Sequence, residues 1–198
     1  MATDPLDDIL DRYVELLYHW NRRVRLVGER DAAEFRQNHL AEVRAALPDL
    51  AGCAWDLAVD IGSGNGLVAV PLAAAFPAHR VIALEPRHRK CAFLRQAARE
   101  LGLANLEIRQ ETLQAFVPPP GAAVLWAARA LEIPAGELLR ELAKHPGGWL
   151  LLFTAEGAPS AEVLRLGAAG LPVVHRREFG GETRRAAVLA RISAECST

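Results

Sequence analysis

The sequence is poor in lysine, and its positive and negative charges nearly cancel. Lysine occurs only at Lys90 and Lys144, so arginine supplies almost all of the 23 positive charges, against 24 acidic residues. The resulting net charge of −1 excludes a uniformly basic nucleic-acid binder, although it does not exclude one basic face. Arginine forks also suit phosphate and carboxylate groups better than lysine does.

Cysteines are few, and long apolar runs are absent. Cys53, Cys91 and Cys196 are too widely spaced for a disulfide framework or a Cys-x-x-Cys metal site. No apolar run approaches the roughly 20 residues that a membrane-spanning helix needs, and the acidic start lacks the pattern of a secretion signal. We therefore expect a cytoplasmic protein without a metal or a membrane partner. Its 198 residues, 51% of them hydrophobic, suffice for a substantial core, and we expect a monomer.

The first part of the chain, residues 1–50, has the pattern of a helical arm. Apolar side chains recur at three- and four-residue steps over Leu6–Trp20, and a second helix is predicted over Ala32–Ala46. Asp4 and Asp31 precede these helices and are predicted to cap them.

Residues 51–198 alternate short apolar runs with helical stretches, which is typical of βαβ units around a parallel sheet. The predicted strands of this series are 53–60, 80–85, 106–109, 122–128 and 148–154, and the predicted helices are 67–76, 87–102 and 134–145. The last two apolar runs, 171–179 and 184–192, are joined by Gly180–Gly181. They predict an antiparallel hairpin at the edge of the sheet.

The strongest motif follows the first predicted strand and runs Asp60-Ile61-Gly62-Ser63-Gly64-Asn65-Gly66. Glycines let a ligand approach the backbone closely, and the following helix offers free backbone N–H groups. The second predicted strand ends on Glu85, an acid that can accept both hydroxyls of a ribose. The alternatives are a turn with no ligand, a solvent-facing Glu85, and an Asp60 that only caps the turn.

This pattern fits S-adenosylmethionine better than other nucleotide cofactors. A dinucleotide fingerprint would need glycine at position 67, which is Leu67, and no Gly-Lys-Ser/Thr follows for a triphosphate. Asp60 would repel a pyrophosphate, whereas it suits the amino group of a methionine tail. Arg129 follows the fourth strand, at the edge where open α/β sheets bind ligands. A surface ion pair is the alternative role for Arg129.

The small net charge conceals an uneven distribution of charges along the chain. Basic residues cluster in 19–44 and 80–99, whereas acidic residues cluster in 4–15 and 132–162. This pattern predicts a basic side beside the ligand cleft, which would hold nucleic-acid phosphates, opposed by two acidic patches. The alternative is that helical arginines only solvate their own faces.

With these motifs in place, the sequence resembles the class I S-adenosylmethionine-dependent methyltransferases, and among them the glucose-inhibited division protein B (GidB, or RsmG) family. The motifs that carry the resemblance are His19-Trp20-Asn21, Arg30-Asp31, His39, the VDIGSGNG loop, the RKCAFL helix start, Ala128-Arg129-Ala130, Pro146-Gly147-Gly148 and Arg184-Arg185. The resemblance implies a Rossmann-like α/β fold with a mostly parallel seven-stranded sheet, an antiparallel C-terminal hairpin and N-terminal helices. It divides the chain into an arm, 1–50, and a methyltransferase domain, 51–198.

The motif and the resemblance together assign the candidate site residues. Those expected to bind S-adenosylmethionine are Asp60, Gly62, Gly64, Gly66, Leu67, Glu85, Leu113, Gln114 and Arg129, of which Arg129 is also expected to be catalytic. Those expected to face RNA are Asn21, Arg22, Arg23, Arg25, His39, Arg89, Lys90 and Arg185.

The resemblance implies methylation of nitrogen 7 of a guanine in small-subunit (16S) ribosomal RNA. That nitrogen has an available lone pair, so the reaction needs alignment rather than a general base. The departures from the family's usual pattern are Arg25-Leu26-Val27, Asn38, Glu42, Leu113-Gln114, Val68-Ala69 and Thr154. Because several of them lie on the substrate side, two alternatives stay open. These are a methyltransferase for a small molecule or protein, and a catalytically silent module that binds cofactor and RNA.

Overall fold

The computed structural model describes residues 4–29, 31–129, 134–154, 171–179 and 185–192. The strands within these residues are β1 (Leu57–Ile61), β2 (Arg80–Leu84), β3 (Leu106–Arg109), β4 (Val124–Arg129), β5 (Trp149–Phe153), β6 (Val173–Phe179) and β7 (Arg185–Arg191). They form one sheet in the order β3-β2-β1-β4-β5-β7-β6. Strands β1 to β5 pair in parallel, and β7 runs antiparallel to both β5 and β6. The predicted seven-stranded sheet with its C-terminal hairpin is confirmed. The glycine pair predicted to join β6 and β7 lies outside the described residues.

The helices fill the connections and form the arm. Those described are α1 (Pro5–Asn21), α2 (Ala32–Phe35), α3 (Ala41–Ala46), α4 (Ala69–Ala75), α5 (His88–Glu100) and α6 (Ala135–Ala143). A π-helical turn, Arg36–Leu40, joins α2 to α3, and a 3-10 turn follows at Leu47–Leu50. The helix predicted over Ala32–Ala46 therefore has the predicted extent but contains an unpredicted wide turn. None of the described helices has both the length and the apolar character needed to cross a membrane.

The helix starts follow the capping chemistry of the sequence. The carboxylate of Asp4 accepts the Leu6 N–H at 3.1 Å, and that of Asp31 accepts the Ala33 N–H at 2.9 Å, so both predicted caps are confirmed. Helix α4 begins at Ala69, two residues later than predicted, because the loop after β1 continues through Val68.

The sheet is covered on both faces, and its side chains alternate between two buried clusters. Ala58 of β1 belongs to the cluster that contains Tyr13 of α1 and Phe93 of α5. Val59, the next residue of β1, belongs to the cluster that contains Leu142 of α6. The arm therefore shares its core with one face of the sheet.

The loop after β1 packs tightly against α5 at Gly66. The φ angle of Gly66 is +84°, a conformation that side-chain-bearing residues rarely adopt. A Cβ at this position would lie 2.7 Å from Cδ2 of Leu94 and 3.2 Å from Cγ2 of Val70. Both the backbone conformation and the space at position 66 therefore require glycine.

Replacing Gly66 by alanine is expected to lower the free energy of unfolding by about 2–5 kcal/mol, the sum of left-handed strain and overpacking. Gly102→Ala is the matched control, because Gly102 has φ +71° but no atom within 4 Å of an added Cβ. Only the strain remains there, so the control is expected to lose about 1–2 kcal/mol. Urea unfolding of both variants measures the difference, and equal losses would contradict this account.

Candidate functional site

The carboxyl ends of β2, β1 and β4 meet at one edge of the sheet, where the strand order reverses direction. The register pairs Asp60 of β1 with Ala83 of β2 and with Ala127 of β4. Glu85 follows β2 directly, and Arg129 is the last residue of β4. Open α/β sheets bind ligands in the crevice at such a switch point, and three of the predicted site residues lie at adjacent strand ends there.

The carboxylate of Glu85 joins the glycine loop to the start of α5. Its Oε2 accepts the Gly64 N–H at 2.9 Å, and its Oε1 accepts the Arg87 N–H at 2.8 Å. Glu85 is only 3% exposed, which excludes the solvent-facing alternative. A carboxylate has about four lone-pair positions, so each oxygen can still accept another donor. The group therefore suits a pair of neighbouring hydroxyls.

Asp60 is buried beneath the same loop and is the polar anchor of its turn. Its Oδ2 accepts hydrogen bonds from Ser63 Oγ at 2.6 Å and from the Ala69 N–H at 3.1 Å. Burial raises the pKa of Asp60 to about 7, against the opposing effect of these two hydrogen bonds, and the negative charge of Glu85 raises it further. Asp60 thus caps the turn, which was the alternative role expected for it from the sequence. Because it also lines the cavity described below, its interaction with an amino group stays a prediction.

Arg129 is held by two residues of the arm. Its Nη2 lies 2.7 Å from Nδ1 of His39 and 3.2 Å from Oε2 of Glu42. The ion pair expected as the alternative exists, but its acidic partner is buried, with only 7% of the Glu42 side chain exposed. Arg129 therefore joins the sheet to the arm rather than lying at the surface.

Glu29 extends this chain of contacts on the far side of His39. The Nε2 atom of His39 lies 2.6 Å from Oε1 of Glu29. Burial acts to raise the pKa of Glu29, but the hydrogen bond from His39, the hydrogen bonds from the backbone and the charge of His39 together outweigh it, and the pKa lies below its ordinary value. Glu29 is therefore held as a carboxylate against the imidazole.

Hydrogen bonds also tie the glycine loop to the arm. The buried hydroxyl of Tyr13 donates to the carbonyl of Asn65 at 3.0 Å, and Nδ2 of Asn65 donates to the carbonyl of Leu26 at 3.3 Å. Asn21 shapes the same segment, because its Oδ1 accepts the N–H groups of Leu26 and Val27 at 2.7 and 3.0 Å. The amide of Asn21 thus serves the turn after α1, and its contact with RNA stays a prediction.

A cavity of about 270 Å³ lies between the glycine loop and the arm. The predicted residues that line it are His39, Asp60, Gly62, Gly64, Leu67, Lys90 and Arg129. The arm contributes Leu26, Val27, Gly28, Glu29 and Phe35 to the same cavity. Seven of the predicted residues, from both halves of the sequence, are therefore brought around one cavity, and Glu85 adjoins it through Gly64.

Four residues of this arrangement are not identified by sequence reasoning as site residues: Tyr13, Glu29, Glu42 and Asn65. Their partners at the site are mostly distant in the chain, so no local spacing reveals them. Tyr13 gives the one usable signal, because a buried tyrosine in an otherwise aliphatic stripe needs a partner for its hydroxyl.

Five predicted RNA-facing residues are basic and lie in segments that contribute to the cavity lining or adjoin it in the chain. Arg22, Arg23 and Arg25 are exposed on the turn after α1, and Arg89 and Lys90 lie at the start of α5. The ion pairs within the described residues engage other arginines, and none engages these five. Lys90 lines the cavity, and a basic side that holds RNA stays a prediction.

The acidic patch predicted over residues 4–15 is wrong in part. Asp11 pairs with Arg36 at 2.9 Å, and Asp7 pairs with Arg44 at 2.8 Å. Acids of α1 thus neutralise arginines of the second arm helix, which lies beside it, instead of forming a separate face. The uneven charge of the sequence becomes an intermixed surface in this region.

The remaining predicted residues lie outside the cavity lining. Leu113 is buried, and Gln114 is exposed with its Nε2 donating to Oε1 of Glu137 at 2.7 Å. Arg185 is the first residue of β7, and its side chain lies outside what is described. Thr154 is engaged structurally, because its Oγ1 accepts the Ala186 N–H at 3.0 Å. Within the described part of the chain, no group of three or more His, Cys, Asp or Glu could hold a metal ion.

The family model and the curated relatives that match this chain carry the same description. A family model described as rRNA small subunit methyltransferase G matches residues 7–156. The ribosomal RNA small subunit methyltransferase G of Laribacter hongkongensis is 36% identical over 150 residues, which cover 75% of this chain and 70% of the relative. The protein of the same name from Pseudomonas aeruginosa PAO1 is 39% identical over 107 residues, 54% of this chain and 49% of the relative. With most of the curated relatives, the match thus spans about half of their length.

Solved structures share the fold at low sequence identity. Magnesium protoporphyrin IX methyltransferase from Synechocystis, with bound SAM, matches with a TM-score of 0.64 and 18% identity, over 96% of this chain and 98% of that chain. A SAM-dependent methyltransferase from Aquifex aeolicus matches with a TM-score of 0.63 and 18% identity, over 96% and 100% of the two chains. The class I methyltransferase fold predicted from the sequence is confirmed.

The buried Asp60 is expected to make stability depend on pH. Its folded pKa of about 7 lies above the ordinary 3.8, so its protonated form stabilises the fold at low pH. That contribution should decline by up to about 1.4 kcal/mol per pH unit as pH rises from about 4 to about 7, and then level off. Urea unfolding of the wild type and of Asp60→Asn over this range isolates it, because asparagine does not titrate.

Asp56→Asn serves as the control, since Asp56 is an exposed acid just before β1. This variant controls for the exchange of a carboxyl for an amide near the same strand. A constant difference between the wild type and Asp60→Asn would contradict the burial argument.

Proposed function

The chain belongs to the rRNA small subunit methyltransferase G (GidB) family, and we propose that it transfers a methyl group from S-adenosylmethionine to nitrogen 7 of a guanine in small-subunit (16S) ribosomal RNA. The observation that supports this most strongly is the cavity at the switch point of the sheet, where cofactor-type and substrate-type residues meet. The proposed substrate also implies action in the cytoplasm, where ribosomal subunits are assembled.

The residues of the switch point fit S-adenosylmethionine. Both oxygens of Glu85 are fixed by backbone N–H groups and retain the capacity to accept the two ribose hydroxyls. Asp60 lies in the cavity wall, where its carboxylate would attract the amino group of the methionine tail. A Cβ at Gly64 would lie 3.7 Å from Nζ of Lys90, so glycine keeps the space beside the loop open. Leu67 would supply apolar surface in the cavity wall. Leu113 and Gln114 lie outside the lining, and only the family pattern assigns them to the adenine.

When bound, the cofactor supplies a methyl group on a positively charged sulfur, ready for transfer to a nucleophile. Guanine nitrogen 7 needs no deprotonation, so the protein has to bind, orient and exclude water. Arg129 is suited to orientation because its guanidinium has five N–H donors, and only some are used by His39 and Glu42. We assign it the role of donor to the base in the cavity.

The cations around the cavity mouth would hold the RNA backbone. We place the phosphates of an entering nucleotide along Arg22, Arg23 and Arg25 on one side and Arg89 and Lys90 on the other, of which Lys90 lines the cavity. Such contacts fix position and are independent of sequence. Target choice would then come from the shape of the RNA and the fit of one base.

A methyltransferase acting on a small molecule or protein is the second candidate. The observation that favours it is Thr154, which bonds β5 to β7 where the family usually has a lysine. A catalytically silent module that binds cofactor and RNA is the third candidate.

An assay with methyl-labelled S-adenosylmethionine separates the three candidates. The labelled cofactor is supplied with unmodified small subunits, with naked rRNA, and with protein and metabolite extracts. Label at guanine nitrogen 7 of rRNA is expected. Label only in other substrates, or cofactor binding with no label anywhere, would overturn the proposal.

Glu85→Ala is expected to weaken the binding of S-adenosylhomocysteine by roughly 1–3 kcal/mol, because charge-assisted bonds to the ribose are lost. Isothermal titration calorimetry measures this directly. Glu107→Ala is the control: Glu107 lies on the neighbouring strand β3 and pairs with Arg80 at 2.6 Å, away from the cavity. Unchanged affinity in Glu85→Ala would remove this residue from the site.

Replacing Arg22, Arg23 and Arg25 together by glutamine is expected to weaken RNA binding and to reduce the slope of log K against log salt by about 2–3. Filter binding of an rRNA fragment between 50 and 200 mM salt, roughly the range over which phosphate contacts are most visible, gives the slope. Arg44→Gln is the control, because Arg44 also lies in the arm but is paired with Asp7. An unchanged slope in the triple variant would place the RNA elsewhere.

A further inference from the structure

We propose that His39 is a positioning residue that acts through Arg129, rather than a residue that contacts RNA itself. It accepts a hydrogen bond from the guanidinium and so fixes where the other N–H groups of Arg129 point in the cavity. The effect on methyl transfer rests on the proposed function. The arrangement of the Glu29, His39 and Arg129 side chains is a property of the free protein.

The hydrogen-bond chemistry of the contact determines the tautomer of His39. A guanidinium has only donors, so Nδ1 of His39, 2.7 Å from Nη2 of Arg129, has to accept. The ring proton is then on Nε2, which donates to Oε1 of Glu29 at 2.6 Å. Glu29 thus selects the tautomer that Arg129 requires, because the hydrogen bond at one ring nitrogen determines the state of the other.

The backbone around His39 holds the ring in this place. His39 lies in the π-helical turn between α2 and α3, a kind of turn that is frequent at functional sites. Glu42 follows three residues later and reaches the same nitrogen of Arg129 at 3.2 Å. The ring of Phe35 packs edge-on against the imidazole, with centroids 5.7 Å apart. The imidazole is therefore restrained on several sides.

The contacts also connect the RNA side to the cavity. Glu29 comes shortly after the turn that carries Arg22, Arg23 and Arg25. A contact chain runs from Glu29 through His39 to Arg129 at the end of β4. Phosphate binding at that turn would therefore act on the same segment that holds the imidazole and, through it, the guanidinium.

The first test measures the proton on His39 without any activity. Nitrogen-15 NMR of the cofactor-free protein is expected to show Nε2 protonated and Nδ1 as an acceptor. Glu29→Gln should raise the fraction of the other tautomer, because an amide can accept or donate. A proton on Nδ1 in the wild type would overturn the proposal.

The second test separates an effect on orientation from one on folding or cofactor binding. Asparagine places an acceptor oxygen near the position of Nδ1, whereas glutamine reaches the position of Nε2. His39→Asn is therefore expected to keep kcat within about fivefold, while His39→Gln and His39→Ala lose on the order of 10–100-fold, as a small misplacement does. The affinity for S-adenosylhomocysteine and the melting temperature are expected to be alike in His39→Asn and His39→Gln, so neither explains the difference in kcat. His175→Asn is the matched control. His175 lies on β6, away from the cavity, and pairs with Asp49.

A double-mutant cycle decides whether the effect passes through Arg129. If it does, His39→Ala should cost nothing further in an Arg129→Ala background. Additive losses in kcat, or equal losses in His39→Asn and His39→Gln, would overturn the proposal. If the wild type methylates no substrate, the proposed function fails, while the NMR result still decides the state of His39.

Discussion

The geometry of the candidate site depends on the two hydrogen bonds that the carboxylate of Glu85 accepts. The carboxylate binds one N–H group of the glycine loop and one N–H group at the start of α5, and it does so almost completely out of contact with water. A buried charge has to be paired in this way, because leaving it without hydrogen bonds would cost several kcal/mol. These two hydrogen bonds connect the glycine loop to the start of α5, the same two segments that pack together where Gly66 meets Leu94. Each oxygen of the carboxylate still has the capacity to accept one more hydrogen bond.

The helical arm and the carboxyl edge of the sheet together form the walls of the cavity. A class I sheet by itself offers an open crevice, whereas here Leu26, Val27 and Gly28 of the arm close one side of it. The closure is not a loose contact, since Tyr13 and Asn65 bond the arm to the glycine loop. The residues proposed to bind the cofactor and the arm residues beside them are thus connected by hydrogen bonds. A closed crevice also strengthens each charge interaction inside it, because water is displaced.

Local patterns of the sequence predict most of the fold and about half of the site. The apolar periodicity, the Asp4 and Asp31 caps and the glycine loop each depend on neighbours in the chain, and the strands and helices lie where these patterns indicate. The contact of His39 with Arg129 spans 90 residues, and no spacing rule reaches that far. The π-helical turn also escapes prediction, because a single wide turn leaves the apolar stripe almost unchanged. The turn contacts of Asn21 also escape prediction, because that turn forms only in the folded chain.

The charges of the protein show how a chain of nearly zero net charge can select a polyanion. In the arm, Arg36 and Arg44 are neutralised by acids of α1, so they add little to the field. Arg22, Arg23 and Arg25 keep their charges exposed on the turn that leads into the cavity. Non-specific attraction to RNA scales with the number of phosphates neutralised at once, so pairing the outlying arginines weakens binding everywhere except at the cleft. Under the proposed function, the acids of α1 would therefore favour encounters with RNA that can deliver a base into the cavity, a selectivity that a uniformly basic surface could not provide.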